Sequence, residues 1–143
     1  MEHYREGELI IVRLDRGEDV VPSLLAALKA EGARGAVVVT GLGALVDVEF
    51  AYYDPVKKSY DRKTLTESHE LLSLSGIIAS GPDGAYQPHF HLTLGAPDHG
   101  AVGGHLFGAK VSVLAEFALR AVENPRMRRV REPDFGLNAL HMR

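Results

Sequence analysis

Short apolar runs broken by glycine, proline and aspartate fill this chain, and only one stretch clearly has helical spacing. Leu9-Ile10-Ile11-Val12-Arg13-Leu14 is rich in β-branched residues and reads as a strand. After the polar turn Asp15–Asp19, Val21, Leu24, Leu25 and Leu28 fall at i, i+3, i+4 and i+7, one face of a helix. Glu18 and Asp19 suit its positive end, Pro22 is tolerated in the first turn, and Gly32 is placed to cap its C-terminus. Ala36–Thr40 is a continuous apolar run, expected to be a strand buried on both faces. Gly41-Leu42-Gly43 then reads as a backbone bend, because neither a third glycine nor a helix follows as a dinucleotide site requires.

Val46–Tyr53 and Leu71–Ile78 read as further strands, with turns at Asp54–Lys58 and at Gly81-Pro82-Asp83-Gly84. The run His89–Leu94 follows, so it and Leu71–Ile78 should form an antiparallel hairpin. Val111 to Val122 fits both periods. Val111, Val113, Ala115, Phe117 and Leu119 alternate, whereas Leu114, Phe117, Ala118 and Ala121 fit a helical stripe. Asn124-Pro125 ends the element either way. One helix followed by many closely spaced strands indicates an α+β protein: a single domain over residues 1–143, with one main helix packed on a largely antiparallel sheet.

Composition narrows function mainly by exclusion. A net charge of −3 provides no global field for nucleic acid or anionic lipid. The absence of cysteine excludes disulfides and thiolate metal sites. No run approaches the ~18 apolar residues of a membrane-spanning helix, and Met1–Glu8 lacks an apolar signal core. A cytoplasmic protein is expected. There is no Gly-x-Ser-x-Gly elbow and no Gly-x-x-x-x-Gly-Lys phosphate loop.

His89 and His91 stand two apart in an apolar run, so a strand would project both from one face and Phe90, Leu92 and Leu94 from the other. His105 follows Gly103-Gly104, which permits a tight turn or a close approach to another element. Three neutral imidazoles with an open fourth position describe a zinc site able to bind a ligand or do chemistry. Zinc there would act as a Lewis acid or lower the pKa of bound water toward ~7. A reaction would also need a general acid or base, for which Glu70 and Glu116 are the candidates. His3, His69, His99 and His141 lack mutual spacing and read as surface or loop residues. Arg126, Arg128, Arg129 and Arg131 form the one dense basic cluster, read as a solvated loop partly offset by Glu123, Glu132 and Asp134. It is also the candidate DNA contact, although no aromatic residue interleaves it for base stacking.

Five segments in order resemble the plants-and-prokaryotes-conserved (PPC) domain family. They are Gly17-Glu18-Asp19, Gly41-Leu42-Gly43-Ala44-Leu45, Glu70-Leu71-Leu72-Ser73-Leu74-Ser75-Gly76, His89-Phe90-His91-Leu92-Thr93-Leu94 and Gly103-Gly104-His105-Leu106-Phe107-Gly108. The resemblance implies a curved antiparallel sheet, assembly as a homotrimer, and a strand at Val111–Val122. It places His89, His91 and His105 at positions that hold zinc in bacterial and archaeal relatives. In plants the domain follows AT-hook segments that bind the minor groove; no Arg-Gly-Arg-Pro hook occurs here. The family fold is also similar to α-acetolactate decarboxylase and to a zinc-dependent ester hydrolase. The expectation is a metal-binding regulatory module, possessing a small-ligand site at the metal and a candidate association with DNA. The alternative is a zinc enzyme acting on a small carboxylate or ester.

Overall fold

Alternation of buried and exposed side chains extends well beyond the short runs legible in the sequence, and strands dominate the computed structural model. It describes residues 1–81, 83–123 and 126–142. In chain order the elements are β1 (Glu2–Glu6), β2 (Leu9–Asp15), α1 (Val20–Ala30), β3 (Ala36–Asp54), β4 (Ser59–Leu65) and β5 (His69–Ser80). They continue with β6 (Tyr86–Gly95), β7 (Ala101–Ala121), β8 (Met127–Glu132) and β9 (Leu137–Met142). The strands run β1-β2-β7-β3-β5-β8-β9, with β4 on β3 and β6 on both β5 and β7. Among the described residues every pairing between strands is antiparallel except the bridge between Ser80 and Arg128. Because β3 and β6 each pair with both β5 and β7, these four strands close a ring and curve the sheet.

The helix covers β2 and β7. Its buried stripe is Val20, Leu24, Ala27 and Leu28, one position offset from the expected Val21 and Leu25, which pack at the core margin. Leu24, Leu28, Ile10, Val12, Leu14 and Leu119 are all fully buried. Each such side chain contributes roughly 1.5–3 kcal/mol relative to exposure. Gly32, at φ 70°, ends the helix in a paired cap: its N–H reaches Lys29 O at 3.1 Å, and Ala33 N–H reaches Leu28 O at 3.2 Å. Asp19 occupies the N-cap position but makes no capping bond; its carboxylate pairs with Lys110 at 3.1 Å.

The expected single domain and α+β layout hold, with corrections in detail. Ala36–Thr40 and Val46–Tyr53 belong to one strand, β3. Gly41-Leu42-Gly43 bends that strand through register shifts at Val38/Thr40 and Gly43/Leu45 without interrupting it. Ala36–Thr40 is not buried on both faces: Ala36 and Val38 face the core, whereas Val37 and Val39 are exposed. Val111–Ala121 is strand. Gly84 N–H bonds Gly81 O at 3.0 Å, closing the expected turn before β6. Pro82 and the Asn124-Pro125 stop lie outside the described residues.

Candidate metal centre

The ladder between β6 and β7 sets His91 directly opposite His105, and His89 sits two residues away on β6. Phe90, Leu92 and Leu94 enter the core at 2%, 3% and 0% exposure, so the alternation expected from the sequence holds. Gly103-Gly104 does not form the alternative turn; both residues lie within β7. A Cβ on Gly103 would stand 2.2 Å from Leu92 O, and one on Gly104 2.6 Å from Ala51 O. Side chains there would force β7 away from β6 and β3. Their absence keeps His105 level with His91.

One nitrogen from each of the three histidines lies within 4.8 Å of the other two, and His89 Nε2 is 3.1 Å from His91 Nε2. Tetrahedral zinc, with Zn–N near 2.0–2.1 Å, needs nitrogens roughly 3.4 Å apart. His89 and His91 already stand close to that spacing, and His105 lies within 4.8 Å of both. The electrostatics agree. Burial, reinforced by His89, His91, Arg62 and Arg129, pushes His105 down to about 4. Burial and then Arg129 and His91 lower His89. Both are neutral near pH 7, the protonation state a metal requires. His105 Nδ1 is buried without a hydrogen-bond partner. Among the described residues no carbonyl or carboxylate bonds a ring nitrogen of any of the three. His105 is instead positioned by aromatic packing, with Tyr60 and Phe107 each 4.9 Å away between ring centroids.

A cavity of about 390 Å³ opens beside His89 and His105. Tyr53, Tyr60, Arg62 and Phe107 form one wall, and Arg129, Arg131, Leu137 and Asn138 of the C-terminal hairpin form another. Arg62 stacks 3.8 Å above the Phe107 ring. A second depression, of about 370 Å³, reaches His91 and again touches His89 and Arg129. Phe107 was open to discovery from the sequence, since it follows His105 by two and shares its strand face. Tyr53, Tyr60 and Arg62 carried no such signal, because strand curvature brings them to the site.

The candidate carboxylates are elsewhere. Glu70 pairs with Gly95 and Ala44, five residues along β5 from Ser75, which faces His91; that spacing is about 17 Å. Glu116 is exposed, faces Arg13 and Leu42, and lies eleven residues along β7 from His105. Neither lines either depression.

The arginine cluster is not a solvated loop: Arg128, Arg129 and Arg131 belong to β8, and Arg129 is only 5% exposed. Two of its expected offsets have other partners, since Glu123 bonds Arg5 and Glu132 bonds His141. Arg126 is exposed. His3 pairs with Glu31, and His99 sits in a turn at φ 65°. His69 departs from its surface assignment: it is buried, its Nδ1 2.9 Å from Glu67 O.

Fold and site together define a class, a one-helix β-protein with three histidines converging at the mouth of a cavity. The sequence matches the Plants and Prokaryotes Conserved (PCC) domain over residues 1–123, and the chain belongs to that family. The structure is similar to a suggested DNA-binding protein of Bacteroides thetaiotaomicron, at 30% identity and TM-score 0.90, over 99% of this chain and 96% of that one. It is similar to a metal-containing protein of Archaeoglobus fulgidus at 34% identity and TM-score 0.82, over 96% of each chain. A plant- and prokaryote-conserved protein of Pyrococcus horikoshii aligns at 28% identity and TM-score 0.84, over 94% of this chain and 92% of that one. No curated protein matches the sequence. No helix among the described residues is long and apolar enough to cross a membrane.

Proposed function

We infer that this protein holds a divalent transition metal, with zinc the expected ion, on His89, His91 and His105, and serves as a homotrimeric ligand-binding or regulatory module. The convergence of three imidazoles at the edge of an open cavity carries the reading. The all-imidazole donor set suits zinc among the common ions. The metal-containing Archaeoglobus relative adds support. When bound, the ion would offer a Lewis-acidic position toward the cavity.

Binding is favoured over hydrolysis or decarboxylation because, among the described residues, no aspartate or glutamate lines the cavity as a general base. Association with DNA is supported by the role suggested for the Bacteroides relative. Burial of Arg129 removes one of the four arginines from any phosphate-facing patch. Trimer assembly is supported by exposed apolar side chains on the strands, among them Val39, Leu42, Leu72 and Val113.

Elemental analysis of untagged protein purified without chelator tests the metal. Roughly stoichiometric zinc is expected, falling tenfold or more in H89A/H91A. Equal content in the two proteins would refute the site. Sedimentation equilibrium should give three times the 15.5 kDa chain mass, and a monomer would contradict the trimer.

A further inference from the structure

We propose that the cavity beside the histidines binds a small organic oxyanion, a carboxylate or phosphate on a compact body, with Arg129 as its anchor. This rests on the reading of this face as a ligand site, but it does not require the metal.

Arg129 is 5% exposed, its Nε has no hydrogen-bond partner, and among the described residues it makes no ion pair. A guanidinium largely withdrawn from water with no anion beside it is destabilising. The groups whose fields it meets are His89 and His105, which cannot compensate it. Burial accordingly weakens its hold on its own proton. A buried, uncompensated fork donor suits the two oxygens of a carboxylate or phosphate.

The surroundings repeat the sign. Lys58, Arg62 and Arg131 also line the cavity, and among the described residues no acidic one does. Glu49 offsets Arg62 at 2.7 Å, while Lys58 and Arg131 make no ion pair among the described residues. This concentration of positive charge occurs in a chain of net charge −3, so it is local rather than a reflection of composition. The volume, about 390 Å³, is in the small-molecule range. Tyr60 and Phe107, edge to face at 5.1 Å, offer an apolar wall for an organic body.

Calorimetric titration of chelator-treated full-length protein with benzoate, its neutral isostere benzamide, succinate and inorganic phosphate tests the proposal. At least one anion should bind, roughly tenfold or more tighter than benzamide. A preference for phosphate over the carboxylates, or the reverse, identifies the headgroup. R129M should abolish the preference for charge. Because it deletes an unpaired buried cation, it should melt no lower than wild type without ligand. R131Q, at the exposed rim, should weaken binding several-fold and carries the test if R129M does not fold. Binding no stronger than benzamide for every anion would overturn the proposal, as would anion affinity unchanged by the arginine substitution. Metal content is read separately, so a failure of the zinc site would leave this outcome interpretable.

Discussion

The helix-covered layer and the hairpin-covered cavity are built on opposite terms. Under α1, Ile10, Val12, Leu14, Leu24, Leu28 and Leu119 leave no accessible surface, and both helix-ending N–H groups are bonded. Under β8 and β9, the enclosed groups include an unpaired Arg129 Nε and an unpaired His105 Nδ1. The covering hairpin is joined to the sheet by the Ser80–Arg128 bridge, and Tyr53 OH donates to Phe135 O. Apolar packing under the helix serves stability; the remaining unpartnered buried atom among the described residues, Arg13 Nε on β2, belongs to a side chain that pairs with Glu2 and Asp15. Packing that leaves polar groups converging and unsatisfied is where the proposed ligands would complete the structure.

The contrast can be broken by substitution on either side. The largest effect belongs to the core: L28A should cost about 2–5 kcal/mol in urea unfolding. Metal bound per folded molecule should remain unchanged; a parallel fall would show the two regions are not separable. A smaller effect arises from pH. The unfolded chain protonates His105 near its usual ~6.5, whereas the fold holds it down to about 4. Over that window the unfolded state binds more protons, so metal-free protein should lose stability as pH falls from 6.5 toward 4. Above pH 6.5 this residue should contribute no slope, and H105N should flatten the slope below it. A slope identical in both proteins would show that burial of His105 does not set it. The smallest effect falls on the hairpin. Y53F removes one hydrogen bond, worth about 0.5–1.5 kcal/mol. It should speed amide exchange in residues 127–142 while leaving α1 protected, and uniform acceleration would argue against a separate covering element.

Legibility in the sequence follows the same division. Helix, hairpin and histidine alternation were readable because each depends on local periodicity. The length of β3 was not, since Gly41 and Gly43 resemble a break and only pairing on both sides shows them to be strand interior. β4, Ser-Tyr-Asp-Arg-Lys-Thr-Leu, is not legible because it carries little apolar pattern and, among the described residues, pairs with β3 alone. β1 is a charged edge strand for the same reason. Arg129 shows the deeper limit. It stands between an exposed Arg128 and a half-buried Val130 in an arginine-rich run, and only the placing of β8 beside the cavity buries it.

In the proposed centre three imidazoles share one ion. Zinc-edge X-ray absorption of the metal-loaded protein measures that most directly. A first shell of about four nitrogen or oxygen scatterers near 2.0–2.1 Å, three of them carrying the outer-shell signature of imidazole, is expected. A shell with fewer than three imidazoles, or one unaltered by H105N, would contradict it.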